Sequence, residues 1–411
     1  MAKRYEAGTE IAVEDGAQTL SKFPVRPDWA DFLAASLLGI LVCLVYGPIA
    51  WHMIHGQSDS RWHVMFAQHL IETHSVSGPH VLYALLVAGV FRTGLVPSFE
   101  AAGLLVLLPF YALTAVAIYG LLFSVFQEQR KFVRVTIVSL AAAAAILVEP
   151  LSRSSQYNIG YFWPTTYDSP TSTLTKPLSL ISFILTGWFL AHGRSRRNWI
   201  WGIFATCTAA AALSKPSFII CLVPAAGLMA CIRLIRGSSL SFRSLLAGLF
   251  VPAAVVLGLQ YYETYSGHTS VVDYRDSIVW APLVVMRYFS SQLVLKLFLS
   301  ITFPLIVFGL YWNRARRDVT LMLAWLSFWI ASFYAYMLAE KLHATAGNFL
   351  WSGYLAAFIL FVASITFWLG LLAEQRKNSW FWARFYLCAA VLALHAVSGA
   401  LVTWNYCKSF G

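Results

Sequence analysis

Charged side chains are scarce in this chain. Asp, Glu, Lys and Arg make up 11% of its 411 residues, against roughly 25% in an average soluble domain. The six cysteines form no Cys-x-x-Cys pair or other metal-ligand spacing, and no long Gly- or Ser-rich linker divides the chain. No Walker, Rossmann or Gly-x-Ser-x-Gly motif occurs in the structural context that its function requires. These absences exclude a soluble enzyme, a disordered scaffold and a small disulfide-bonded secreted domain.

Apolar side chains, by contrast, are abundant. Hydrophobic residues make up 59% of the sequence, which includes 16 tryptophans, and the mean hydropathy is +0.67. Several uncharged apolar stretches reach roughly 18 residues, close to the length that a helix needs to span about 30 Å of hydrocarbon. The sequence therefore predicts an all-α, polytopic membrane protein with a single transmembrane domain over 31–411.

The basic residues lie in short runs between the apolar stretches. Lysine and arginine total 29 against 18 acidic residues, a net charge of +11. Such runs are typical of cytoplasmic loops, because Lys and Arg resist translocation, whereas nucleic-acid binding needs a basic face on a folded module. We therefore predict no nucleic-acid partner and a cytoplasmic N-terminal tail over 1–30. The runs are Arg130-Lys131, 194–197, Arg233 with Arg236, 314–317 and Arg376-Lys377.

The same basic runs constrain the number of membrane crossings. A first span over 31–54 takes the chain outward, so only one of the apolar segments 80–91 and 99–126 can return it before the basic run that follows. The segment 80–91 has only about a dozen residues, a length typical of interfacial helices. We expect it to lie flat on the outer face, which gives about eleven spans and an external C-terminus. The remaining spans are 132–149, 174–191, 198–213, 215–235, 244–262, 293–312, 319–338, 347–372 and 380–404.

Four external segments are polar enough to contain an active site. They lie at about 55–98, 150–173, 263–292 and 339–348. In the first, Asp59 precedes apolar residues at helical spacing, a pattern typical of an amphipathic surface helix. A sheltered carboxylate there could act as a general base on a hydroxyl or an amine. The alternative is that Asp59 caps the helix, because Asp is favoured at that position.

The second external segment is rich in aromatic residues. Tyr157 and Trp163 lie near Asp168 in the sequence, and aromatic rings beside polar side chains commonly bind sugars. The alternative is the belt of Trp and Tyr that forms at the headgroup level of a membrane. The pattern leaves both interpretations open.

Cations on the external side indicate an anionic ligand. Together they could hold a lipid-linked phosphate or pyrophosphate, although each one alone could snorkel to the headgroups. Lys215 is the most informative, because it lies in a tight turn between two apolar helices. His343 accompanies a cation in the fourth segment. The five cations are Lys176, Lys215, Arg275, Arg287 and Lys341.

The histidines of the first external segment do not form a metal motif. No pair has i, i+4 spacing beside a third obvious ligand, so we predict no metal site. The alternative is a divalent cation held by Asp59 or Asp168 together with a substrate phosphate.

The layout resembles the GT-C superfamily of integral membrane glycosyltransferases. The segment 59–63, which contains Arg61 and His63, occupies the place of that family's acidic motif after the first span. The segment 78–83 resembles its Pro-Leu-Tyr juxtamembrane helix, and 167–171 resembles a loop of bacterial members. The family takes a sugar from a polyprenyl-phosphate donor on the non-cytoplasmic face.

The resemblance implies an inverting transferase in a bacterial inner membrane, with a lipid or glycan acceptor and a periplasmic active site. It implies that Asp59 is the general base, while cations stabilise the leaving phosphate. Two other classes stay open: a transporter or flippase for lipid-linked glycans or anionic solutes, which needs ionisable residues along a pathway, and a polysaccharide polymerase or ligase. The candidate substrate-binding residues are Arg61, His63, Tyr157, Trp163, Asp168, Lys176, Lys215, Arg275, Lys341 and His343.

Overall fold

The fold is a bundle of helices. The computed structural model describes residues 27–75, 80–127, 129–152, 160–164, 169–192, 198–238, 240–265, 277–342, 346–373 and 378–408. Within these ranges the helices are α1 (Trp29–His55), α2 (Asp59–Thr73), α3 (Val81–Arg92), α4 (Phe99–Phe126), α5 (Lys131–Leu147), α6 (Pro170–His192), α7 (Asn198–Ser214), α8 (Ile219–Ile235), α9 (Phe242–Leu245), α10 (Val251–Tyr265), α11 (Val284–Phe289), α12 (Leu293–Ser300), α13 (Thr302–Leu310), α14 (Trp312–Ala315), α15 (Val319–Met337), α16 (Leu350–Gly370) and α17 (Ser379–Lys408).

Short non-α elements interrupt this pattern. A π-helical turn, Leu246–Phe250, joins α9 to α10, and a 3-10 turn, Leu371–Ala373, follows α16. Strand β1 (Ile278–Trp280) pairs antiparallel with β2 (Leu338–Glu340). The predicted all-α class is therefore confirmed apart from this small ribbon.

Seven of the described helices are long and apolar enough to cross a membrane. They are α1, α4, α6, the continuous helix Phe242–Glu263, α15, α16 and α17, and the pair α12–α13, bent by 68°, would make an eighth. A multi-pass membrane protein is thus confirmed, but eleven spans are not. Helices α5, α7 and α8 have 17 residues each, fewer than the roughly 20 that a crossing usually takes.

A buried ion cluster joins three helices at one end of the bundle. Asp28 caps α1, and the Arg134 guanidinium of α5 donates to its carboxylate at 2.9 Å. Arg134 also donates to Asp31 at 2.6 and 3.1 Å, and the Tyr119 hydroxyl of α4 donates to Asp31 at 3.1 Å. The start of α1, the end of α4 and the start of α5 therefore lie together, at what we call the Arg134 end.

Helices α2 and α3 lie at the opposite end, which we call the His63 end. There, α1, α2, α3 and α4 share one hydrophobic cluster that contains Ile54, Val64, Val87 and Val106. Because α1 and α4 bring their other ends to Arg134, they run antiparallel, and α2 and α3 connect them on one side. The expectation that 80–91 lies flat on the outer face of a membrane stays a prediction.

Helix α16 is the most enclosed of the long helices, with 89% of its apolar window buried. Phe162 is fully buried against it, where a side chain at Gly353 would collide with the Phe162 ring. The Phe162 N–H donates to the Ser300 hydroxyl at 2.9 Å. Part of the second predicted external segment thus enters the core rather than covering the surface, and it packs beside the helix that carries Trp351.

Candidate functional site

Asp59 is the first residue of α2. The N-cap position belongs to Ser58, so the structure does not bear out the capping interpretation of Asp59. One helical turn later, the His63 Nε2 atom lies 3.6 Å from the Asp59 Oδ1 atom. The Asp59 side chain is 42% exposed, whereas that of His63 is 9% exposed. The carboxylate is therefore accessible from outside, and the imidazole lies behind it.

The imidazole of His63 is neutral at pH 7. Burial lowers its pKa, the positive charge of Lys215 lowers it further, and Asp59 opposes both effects. The ring packs edge-on against Tyr83 of α3, with ring centres 6.2 Å apart. Its Nδ1 atom is buried and has no hydrogen-bond partner among the described residues.

Lys215 brings a buried cation to the same end of the bundle. Helix α7 ends at Ser214, because the residue before a proline disfavours helical backbone and Pro216 follows. The Lys215 ammonium donates to the Ser169 hydroxyl at 3.1 Å. It also lies 3.4 Å from the centre of the Trp351 ring, a cation–π contact that desolvation strengthens. A cation held in this way can attract an anionic group.

His80 completes this group, although the sequence analysis assigned it no role. Burial and, to a smaller extent, the positive charge of Lys215 lower its pKa to about 3. Its Nδ1 atom is buried without a hydrogen-bond partner among the described residues. The only sequence signal for His80 was its position in the segment 78–83 that resembles the juxtamembrane helix. We call Asp59, His63, His80 and Lys215 the His63 cluster.

Lys176 is half-buried and belongs to a second polar region. Its ammonium is 5.6 Å from the Phe358 ring centre and interacts electrostatically with Glu149. Glu149 is 1% exposed, and its backbone carbonyl contacts the His395 imidazole at 2.7 Å. The sequence analysis missed Glu149, because a lone carboxylate at the end of an apolar stretch carries no motif.

The structure describes four further cations and aromatic residues among the candidates. Arg61, Arg287 and Lys341 are exposed, and Trp163 is half-buried. Of the remaining candidates, Tyr157, Asp168, Arg275 and His343 lie outside the described residues. Their predicted roles stay predictions.

Within the described ranges, no three His, Cys, Asp or Glu side chains lie together in a way that could hold a metal ion. In the described part of the chain, the Asp59 carboxylate lies against one imidazole, that of His63. The alternative of a divalent cation held by Asp59 or Asp168 therefore stays a prediction, and no step below depends on it.

No known protein family, curated protein or solved structure matches this chain.

Proposed function

We propose that the protein is a membrane glycosyltransferase that moves a sugar from a polyprenyl-phosphate donor to a lipid-linked or glycan acceptor. The observation that supports this best is the His63 cluster. The accessible Asp59 carboxylate lies against His63, and the charge of the buried Lys215 acts on the same imidazole, at the end of the bundle where α2 and α3 lie. A sugar transfer needs both groups, a base for the acceptor and a positive charge for the leaving phosphate.

In the proposed step, the proton of the acceptor hydroxyl or amine moves to the Asp59 carboxylate. The freed electron pair forms the new bond to the anomeric carbon. The bond between that carbon and the phosphate oxygen breaks, and its electrons leave with the polyprenyl phosphate. The charge of Lys215 stabilises the negative charge that grows on the phosphate, and a buried site strengthens this effect. Attack opposite to the leaving group inverts the anomeric configuration.

The remaining candidate residues take supporting roles in this proposal. Cations outside the cluster would hold the lipid phosphate, and polar and aromatic residues of the second external segment would orient the sugar. Membrane lipids would surround the bundle. The candidates for these roles are Arg61, Tyr157, Trp163, Asp168, Lys176, Arg275, Lys341 and His343.

We also propose the membrane arrangement that this chemistry needs. The basic residues of the Arg134 end favour the cytoplasmic side, which puts the N-terminus inside and the His63 cluster on the periplasmic face of a bacterial inner membrane. Eleven crossings, with α5, α7 and α8 among them, would leave the C-terminus outside.

A transfer assay tests the proposal. Membranes that contain the protein are incubated with radiolabelled polyprenyl-phosphate sugars, and label in lipid and glycan products is measured. Asp59→Asn should reduce transfer about 100-fold or more, as expected for loss of a general base. Glu72→Gln is the matched control, because Glu72 is an exposed acid on the same helix. Full activity of Asp59→Asn would remove the carboxylate from the mechanism.

A second candidate function, transport of an anionic solute, is favoured by the region around Lys176 and Glu149. Buried ionisable groups inside a membrane domain often mark a substrate or ion pathway. Uptake into proteoliposomes distinguishes the two functions. A transporter should lose uptake on Lys176→Met and keep it on Asp59→Asn, whereas a glycosyltransferase should show no uptake dependent on either residue.

A further inference from the structure

We infer that His63 positions the Asp59 carboxylate for its role as general base. This inference rests on the proposed function, because it assigns a second residue to the same site. Asp59 would touch the acceptor, and His63 would act on the reaction only through Asp59.

The geometry of α2 supports this division of roles. Residues four apart lie on the same face of a helix, and the His63 Nε2 atom is 3.6 Å from the Asp59 Oδ1 atom. Asp59 is 42% exposed and His63 is 9% exposed. A substrate arriving from outside therefore meets the carboxylate first, while the imidazole supports it from the protein side.

The protonation state of His63 fits a donor to Asp59. A neutral imidazole carries a single N–H group. Among the described residues, the Asp59 carboxylate is the acceptor that lies against Nε2, and nothing accepts from Nδ1. We therefore assign the hydrogen to Nε2. Its 3.6 Å separation from the Asp59 Oδ1 atom is longer than a hydrogen bond, and such contacts often shorten to hydrogen-bond length only when a substrate is bound. A donor behind a carboxylate restricts its rotation, which holds the carboxylate in one orientation toward the acceptor.

Burial keeps His63 neutral, the positive charge of Lys215 adds to this effect, and Asp59 opposes it. Asp59 lies on the same helix, Lys215 lies on the turn after α7, and His80 lies just before α3. Lys215 disfavours a second positive charge beside it. An imidazolium at position 63 would pair with Asp59 as a full ion pair, whereas a neutral ring leaves the carboxylate available to the acceptor.

Packing alone does not explain a histidine at this position. The Nδ1 atom is buried without a hydrogen-bond partner in the described part of the chain, which costs stability that an apolar side chain would avoid. The contact of Nε2 with Asp59 is what the imidazole provides and an apolar side chain cannot.

Three substitutions at position 63 test the inference in the transfer assay. His63→Leu removes the donor, so it should lower kcat about 100-fold with little change in KM. His63→Gln puts an amide N–H near the place of Nε2 and should restore most of the lost rate. His63→Asn keeps a polar side chain but ends closer to the place of Nδ1, so it should behave like His63→Leu. His69→Gln, a change to a half-exposed histidine of the same helix, is the matched control and should keep full activity.

The outcomes separate this inference from the proposed function. If His63→Leu keeps full kcat while Asp59→Asn is inactive, the inference is wrong and the proposed function stands. If His63→Gln folds but is as slow as His63→Leu, the donor role is also wrong. If membranes with the wild-type protein transfer no label, the proposed function fails, and if Asp59→Asn transfers sugar at the full rate, the carboxylate is removed from the mechanism. Should His63→Leu not fold, as judged by its elution in detergent, the contrast between the Gln and Asn variants decides.

Discussion

At the scale of single residues, the strongest polar contacts lie at Arg134 rather than in the candidate site. The Arg134 guanidinium, Asp31 and Tyr119 are almost entirely removed from solvent, with exposures of 8%, 1% and 2%. Two opposite charges that are buried together compensate each other electrostatically. Either one alone would be a buried and uncompensated charge.

Removing one partner of this pair should therefore destabilise the protein strongly. We expect Arg134→Met to lower the free energy of unfolding by about 3–5 kcal/mol, because it leaves the Asp31 carboxylate buried and uncompensated. Thermal unfolding in detergent measures this loss. Lys131→Met is the control, because the ion pair between Lys131 and Asp28 is largely exposed and should contribute less than about 1 kcal/mol. Equal effects of the two substitutions would contradict this account.

The buried histidines predict a dependence of stability on pH. The pKa of His80 is about 3 in the folded protein, chiefly because the ring is buried, against about 6.5 in an unfolded chain. Between these values the unfolded chain binds a proton that the folded chain does not, so stability falls as the pH drops from about 6.5 toward 3. The pKa of His63 is lowered too, which adds to the effect.

We therefore expect a lower unfolding midpoint at about pH 5 than at about pH 7, and a smaller difference between them in His80→Asn. Thermal scans of both proteins at the two pH values measure this. An unchanged pH dependence in the variant would show that His80 already titrates normally in the folded state.

Sequence reasoning identified some residues of the site and missed others for a clear reason. Asp59 was predicted as the general base and His63 as a substrate-binding residue of the segment 59–63, but their contact on one face of α2 was not predicted. Lys215 was chosen for its position in an external turn, but its contacts with Ser169 and Trp351 join three distant parts of the chain. Such contacts depend on how helices pack, which spacing along a sequence does not encode.

At the scale of elements, close helix contacts depend on small residues. Gly399 of α17 lies where any side chain would collide with the Leu147 carbonyl oxygen at the end of α5. The Glu149 backbone N–H donates to the His395 carbonyl at 3.2 Å, and the His395 ring contacts the Glu149 carbonyl. The end of α5 is thus bound directly to the middle of α17.

A methyl group at position 399 should break this contact. We expect Gly399→Ala to lower the thermal midpoint and the amount of folded protein. The backbone carbonyl of Leu147 cannot move aside as the end of a flexible side chain can. Gly258→Ala is the control: Gly258 is also helical and meets nothing within 4 Å, so alanine there should be neutral or stabilise by up to about 1 kcal/mol. If both variants unfold at the wild-type temperature, the α5–α17 contact is not as close as described.

Sequence reasoning was more accurate for long helices than for short ones. The predicted spans 31–54 and 99–126 match α1 and α4 closely, because long apolar runs leave little choice of structure. The predicted span 293–312 is instead broken at Ile301 into α12 and α13, with a bend of 68°. Pro304 lies in the first turn of α13. It has no N–H to donate to the Ser300 carbonyl, a signal of the break that the predicted span did not take into account.

At the scale of the whole molecule, the two ends of the bundle differ in character. The Arg134 end carries the basic residues that follow α4, and the His63 end carries Asp59, the amphipathic α2 and the short α3. Sequence reasoning predicted this separation from the positive-inside rule. The number of crossings was less predictable, because helices of 17 residues are marginal for a full span.

Which end faces outside decides whether Asp59 can meet a periplasmic substrate. Single cysteines are placed at Arg61, beside Asp59, and at Arg130, at the start of α5, in a variant whose six native cysteines are replaced by alanine. Intact cells are treated with a membrane-impermeant maleimide. This account predicts that the cysteine at 61 is labelled at once and that the one at 130 is labelled only after permeabilisation. Labelling of position 130 in intact cells, with position 61 protected, would contradict it.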